Sequence, residues 1–180
     1  MDQADLIALV YAGHPKAREV LVDHCRKVAD FAKSIALRAS ETADIDISFV
    51  EEAALLHDIG MIKTKAPKIY CSGTEPYICH GVLGAELLRS VGLDRHALVC
   101  ERHIGIGLSV HDILSQHLPL PLREMRPQNI EEEIIAYADL FFSKTKPQKK
   151  TPEEVRRSLS KYGEEKIIIF ERWHSQFTSY

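Results

Sequence analysis

Hydrophobic residues along this chain recur at helical rather than strand intervals almost throughout. From Pro15 to Ala39 the positions Val20, His24, Val28, Phe31 and Ile35 fall on one stripe, which predicts a long amphipathic helix with a histidine on its apolar face. Residues 48–57 read as a second helix. Ser48 caps it, Glu51 completes a capping box, and Phe49, Ala53, Leu55 and Leu56 form the buried side. Gly60 is placed to stop that helix. Further helices are predicted at 81–88, ending by Gly92, at 94–102 with Asp94 as cap, and at 130–142. A short helix opens at Ser109, and Thr151-Pro152-Glu153-Glu154 starts another with a cap, a first-turn proline and acidic residues, broken at Gly163. Ile167-Ile168-Ile169-Phe170 is the best strand candidate, but its charged flanks favour helix. The expectation is an all-α, single-domain helical bundle of about six to eight helices. Residues 1–143 would form its core, 144–151 a basic linker and 152–180 a helical cover or oligomer contact, which leaves a homo-oligomer open.

Two stretches interrupt the pattern. Residues 61–79, with Lys63, Lys65, Pro67, Lys68, Gly73 and Pro76, would run as a loop past any site built on the flanking helices. Residues 105–128 include Leu118-Pro119-Leu120-Pro121, which forces an extended turn.

Composition narrows the partners. The 180 residues are 45% hydrophobic with a formal charge of −3, which argues against a general binder of extended nucleic acid while leaving a small nucleotide open. No apolar run is long enough to span a membrane, and the start Met1-Asp2-Gln3-Ala4-Asp5 lacks the basic flank of a signal peptide. Cys25, Cys71, Cys79 and Cys100 have no Cys-x-x-Cys spacing and read as reduced thiols, which fits a cytoplasmic protein; a Cys71–Cys79 bridge is conceivable.

Candidate chemistry gathers at His57-Asp58-Ile59-Gly60, where an imidazole and a carboxylate end a buried helix. Buried charge without a partner is costly, and a divalent metal would compensate it. His24, His80, His103 and Asp139 stand in the same way, each at the edge or on the apolar face of a separate predicted helix. Six imidazole and carboxylate groups with no cysteine suit Fe, Mn, Zn or a similar divalent ion, and six ligands with one bridging carboxylate can hold two ions.

The ordered set His24, His57-Asp58, His80, His103, Asp139 resembles the HD-domain superfamily of metal-dependent phosphohydrolases, closest to its small branch bearing His-Asp-Ile-Gly in archaea and bacteria. The resemblance runs from about Pro15 to Ser143. It implies that His24, His57, Asp58 and Asp139 hold a first metal, and that Asp58 bridges to a second completed by His80 and His103. The cofactor would be two divalent ions drawn from Fe, Mn, Zn, Ni, Co or Mg.

The implied reaction is hydrolysis of a phosphoester or phosphoanhydride in a small phosphorylated molecule such as a nucleotide, with Asp58 fixing the metal spacing. Cations would meet the developing phosphoryl charge. Lys63, three residues after the motif, and Arg102, beside His103, are the main candidates, with Lys65 and then Lys144 or Lys146 behind them. The run 144–150 otherwise reads as a solvated linker. His111 could meet substrate or protonate a leaving group. Two other readings stay open, a di-iron oxygenase of the same fold and a non-catalytic metal-bound signalling module.

Overall fold

The computed structural model describes residues 2–180. Nine α-helices, four short 3₁₀ turns and one small ribbon make up the regular structure of the described residues. The helices are α1 (Gln3–Val10), α2 (Pro15–Ala39), α3 (Ile47–Leu56), α4 (His80–Ser90), α5 (Asp94–Arg102), α6 (Val110–Ser115), α7 (Ile130–Asp139), α8 (Pro152–Leu159) and α9 (Glu164–Thr178). None is long and apolar enough to cross a membrane. The all-α expectation holds, and the helix beyond the predicted set is α1, capped by Asp2. Ile167-Ile168-Ile169-Phe170 lies inside α9.

Long α2 carries the architecture. Pro15 opens it, and its buried side is rich in alanine (Ala29, Ala32, Ala36 and Ala39), which lets α3 and α7 pack close to its axis. Two apolar clusters meet along it. One gathers the first half of α2 with α1, α4 and the 59–71 segment, through Leu21, Leu56, Met61, Ala85 and Leu88. The other joins the second half of α2 to α3, α7, α8 and α9, through Val28, Ile35, Ile134, Phe170 and Trp173. His24 and His57 sit at the seam between them, where Cys25 belongs to one cluster and Val28 to the other.

Local starts differ from the sequence expectation in two places. Asp46, not Ser48, caps α3. Its carboxylate accepts from Phe49 N at 2.9 Å, its own N–H donates to Glu131 Oε1 at 2.8 Å, and Arg95 reaches its other oxygen. Those tertiary ties place the helix start two residues earlier, leaving Ser48 exposed in the first turn. Asp94 does not cap α5. Leu93 N–H turns back to the Leu88 carbonyl through left-handed Gly92, so α5 begins at once and Asp94 is its first residue.

Gly60 does not terminate a helix either. It lies in the 3₁₀ turn Ile59–Lys63, and a Cβ there would stand 2.2 Å from both Gly84 N and the His80 carbonyl oxygen. A Cβ on Gly84 would in turn come within 2.3 Å of Cys100 Sγ. The two glycines let α4 lie backbone against the turn on one side and against α5 on the other.

The predicted 61–79 loop is ordered by a two-stranded antiparallel ribbon, β1 (Lys65–Ala66) and β2 (Cys71–Ser72), with Ala66 opposite Cys71. All four cysteines are free and buried, so the Cys71–Cys79 bridge does not form. Beyond the linker, Thr151 and Glu154 form the expected capping box, and α9 starts after Gly163.

Candidate metal centre

Helix ends and turns aim six side chains at one buried point. His57 and Asp58 follow α3, His80 begins α4, His103 follows α5, and Asp139 is the last residue of α7. His24 comes from the middle of α2. The atoms fall into two groups. His24, His57, Asp58 and Asp139 form one, Asp58, His80 and His103 the other, and each group has one donor atom per residue within 4.8 Å of the rest.

Asp58 divides the space between them. Its Oδ2 stands 3.2 Å from both His24 Nε2 and His57 Nε2, while Oδ1 stands 3.1 Å from His80 Nε2 and 3.5 Å from His103 Nε2. Asp139 Oδ1 closes the first group at 3.0 Å from His24 and 3.5 Å from His57. Donors held ~2.1 Å from one ion lie about 3.0 Å apart at octahedral edges and about 3.4 Å apart at tetrahedral ones. The donor spacing therefore suits a divalent ion.

Hydrogen bonding prepares the imidazoles for that task. His57, His80 and His103 each place Nδ1 on the carbonyl oxygen three residues earlier, Ala54 at 2.6 Å, Tyr77 at 2.6 Å and Cys100 at 2.8 Å. These partners assign the N–H to Nδ1, which turns Nε2 toward the carboxylates, the arrangement that orients metal-binding histidines. Across the second group the His80 and His103 Nε2 atoms face each other at 3.1 Å. They have room for one proton or one cation between them, not for two N–H groups. His24 Nε2, His57 Nε2, Asp139 Oδ1 and Asp58 Oδ1 are buried with no hydrogen-bond partner, and the partner of Asp58 Oδ2 is the Lys144 ammonium. Orphaned buried donors and acceptors on this scale are what a bound cation would satisfy. The residues fit a metal centre.

Cysteines and a tyrosine support the motif from behind. Cys100 Sγ donates to the His57 carbonyl at 2.9 Å, Cys25 Sγ lies 3.7 Å from His57 Nδ1, and the buried Tyr11 hydroxyl donates to the Ile59 carbonyl at 3.2 Å. Burial pushes the Cys25 and Cys100 thiols up, so they remain neutral.

One residue was missed as part of this cluster. Lys144, read from sequence mainly as part of a solvated linker, brings Nζ to 2.5 Å from Asp58 Oδ2, with its side chain only 15% exposed. Burial pushes the Asp58 carboxyl up, but the Lys144 ammonium and His57 hold it well below the usual carboxylate range. Burial likewise works against Asp139, yet the His24 and His57 imidazoles beside it hold its carboxyl well below the usual carboxylate range. Lys144, despite burial, is pushed well above the ordinary lysine range by Asp58 beside it. His57 is raised by Asp58 against the effect of burial, whereas burial lowers His103.

The other sequence candidates lie elsewhere. Lys63 and His111 are exposed, the latter on α6. Arg102 is held by Glu132, with Nη1 at 2.9 and 3.1 Å from the two carboxylate oxygens.

Comparison with known proteins agrees with this geometry. The model of the HD domain matches residues 21–142. "Uncharacterized protein MJ0778" of Methanocaldococcus jannaschii is 37% identical over 130 residues, covering 71% of this chain and 69% of that protein. Proteins named tRNA (cytidine(56)-2'-O)-methyltransferase from Thermoplasma volcanium and Picrophilus torridus are 34% and 33% identical over 71% of this chain. The chain spans only 33% of the length of those two. No solved structure matches. With the family's histidines and aspartates gathered in one buried cluster, and the match running through it, this chain belongs to the HD-domain family.

Proposed function

We propose that this chain is a metal-dependent phosphohydrolase with two divalent ions at one centre, acting on a small phosphorylated molecule such as a nucleotide. The observation that carries the reading is Asp58, a fully buried carboxylate whose two oxygens each face a different pair of imidazoles. His24, His57, Asp58 and Asp139 would hold one ion, and Asp58, His80 and His103 the other. Bound there, such a pair supplies an activated water and polarises a phosphoryl oxygen.

The chain's own residues do the rest. Backbone carbonyls fix the imidazole tautomers, so the donors are oriented before any ligand arrives. The half-open side of the centre is at Asp139, 17% exposed, and at Lys144. Lys144 is the cation nearest Asp58, so it is our choice to meet a phosphoryl oxygen, ahead of exposed Lys63 and of Arg102 on Glu132. The methyltransferase name of the two longer relatives belongs to proteins of which this chain matches a third. Nothing in a cluster of imidazoles and carboxylates calls for methyl transfer.

Phosphate release from a panel of nucleotides and simple phosphoesters, with Mn- or Fe-loaded protein, tests the reading. Release by the wild type and none by Asp58→Ala is expected, with both proteins equally helical. Release that survives in Asp58→Ala would place the chemistry elsewhere. Silence across the panel with metal bound would refute hydrolysis, and oxygen consumption would then be measured.

A further inference from the structure

A groove beside the metal centre carries an unbalanced charge. It is an open depression of about 540 Å³ between the 65–69 segment and the 142–145 turn, and Lys65, Lys68, Lys144 and Lys150 line it with no carboxylate among the lining residues. The chain as a whole is acidic, at −3, so a groove lined by four lysines of which Lys144 alone is paired with a carboxylate does not follow from composition. Among the described residues, Lys65 and Lys68 have no ion pair, and the Lys150 ammonium donates only to the Leu140 carbonyl at 3.2 Å. Like charges converging on one cavity repel unless an anion fills it.

Two residues of the inner wall touch the cluster itself. Lys144 stands on Asp58, and Tyr77 stacks on the His80 ring at 4.6 Å between centroids. The groove therefore leads to the centre. The outer wall is preset, because Lys65 N–H donates to the Glu75 carbonyl at 2.8 Å and the ribbon β1–β2 brackets Lys68. A second opening, on the α2 side of Lys144, places Glu19 and Asp23 beside Lys16 and is a poorer host for anions.

We propose that this groove is a subsite for further phosphate groups of the substrate. The substrate class is thus an oligophosphate, such as a nucleoside di- or triphosphate, rather than a monoester. Resting on the phosphohydrolase reading above, this places the scissile phosphate at Asp58 and Lys144 and the remaining phosphates on Lys65, Lys68 and Lys150. Lysines suit that role because an ammonium is a point charge that accepts phosphates in many orientations. Tyr77 and Phe142 give the groove an apolar flank.

The test is equilibrium binding, independent of turnover, on Mn-loaded protein. The probes are orthophosphate, AMP and α,β-methylene-ADP. The wild type should bind the methylene diphosphate about tenfold more tightly than AMP, the gain from one more charge-assisted contact set. Lys65→Ala/Lys68→Ala should reduce that ratio below about threefold and leave orthophosphate affinity within about twofold. Lys161→Ala, an exposed lysine outside the groove, should keep the full ratio. Equal affinities in the wild type, an unchanged ratio in the double variant, or the same loss in Lys161→Ala would each overturn the proposal. A lysine-dependent ratio without phosphate release from any compound would refute the hydrolase reading and leave the subsite standing. Hydrolysis of monoesters with no lysine-dependent ratio would do the reverse.

Discussion

Gly60→Ala tests whether the backbone contact at the motif sets the second metal group. The added Cβ would sit 2.2 Å from Gly84 N, 2.2 Å from the His80 carbonyl oxygen and 2.7 Å from Gly84 Cα. All three are backbone atoms, so no side chain can swing aside. Restoring ordinary contact requires α4 to retreat by roughly 1 Å, and overpacking of this kind costs about 1–3 kcal/mol. At about 2–4 °C per kcal/mol for a chain of this size, melting should fall by about 5 °C. His80 begins α4, so it moves away from Asp58 Oδ1. Metal sites tolerate only about 0.2 Å in ligand distance, and the His80–His103 group should therefore empty. The clash falls on α4, whereas His24 and Asp139 come from α2 and α7, so the first group should survive. Metal content by mass spectrometry and a thermal melt, both on protein loaded with excess Mn, read the two effects together. The expected result is a fall from two ions per chain to one. Gly13→Ala is the control. Its Cβ would meet nothing within 4 Å at φ +80°, so it should cost about 1 kcal/mol of left-handed strain and no metal. Full metal content and an unchanged melt in Gly60→Ala would refute the reasoning.

Lys144→Met removes one partner from a buried ion pair, a change that costs roughly 3–5 kcal/mol. The metal-free variant should melt well below the wild type, and added Mn should narrow the gap by restoring a cation beside Asp58. An equal gap with and without metal would show that Asp58 does not depend on this charge. Burial raises the Asp112 carboxyl, but Lys166 at 2.6 Å and the Ser109 donors hold it below its ordinary value. Its stabilisation is therefore complete above about pH 4 and is lost as pH falls through the lower folded-state value. Urea midpoints of wild type and Asp112→Asn should converge as pH drops from 5 to about 2, and parallel curves would contradict this. Arg102→Ala should destabilise the fold by about 1–3 kcal/mol, because Glu132 also accepts from Gln128 N and Asn129 Nδ2. Steady-state kinetics should show KM unchanged, and a raised KM with normal stability would restore Arg102 to the substrate.

The helices and the six-residue cluster were legible because both depend on spacing. Apolar positions on α2, α3 and α7 repeat at helical intervals, and His24, Asp58 and Asp139 break those stripes with groups that water or a metal must satisfy. Boundaries were less legible where tertiary partners decided them. Asp46 and Ser48 both have a capping side chain, and only Glu131 and Arg95, distant in sequence, select the first. Gly60 shows a similar limit. Its position suggested a helix stop, whereas its use is the absence of a Cβ against a helix that begins twenty residues later. Helix α1 carried no clear period of its own and is fixed by packing Leu6 and Ile7 against the α2 cluster.

Lys144 marks where sequence reasoning runs out, and the reason is physical. It stands in a run with Lys146, Lys149 and Lys150, which have the same side-chain chemistry and the same local composition. Their fates diverge only through the path of the backbone after α7. Phe141 and Phe142 pack against Phe31 on α2, anchoring the chain beside the cluster. That anchor turns Lys144 inward to Asp58, while Lys149 lies over the Phe31 ring, 3.3 Å from its centre, and Lys150 folds back to line the groove. Position within a basic run therefore has no meaning until the aromatic anchor is placed. Once it is, one lysine pairs with the buried carboxylate and another lines the groove, and a segment that reads as linker becomes a wall beside the cluster.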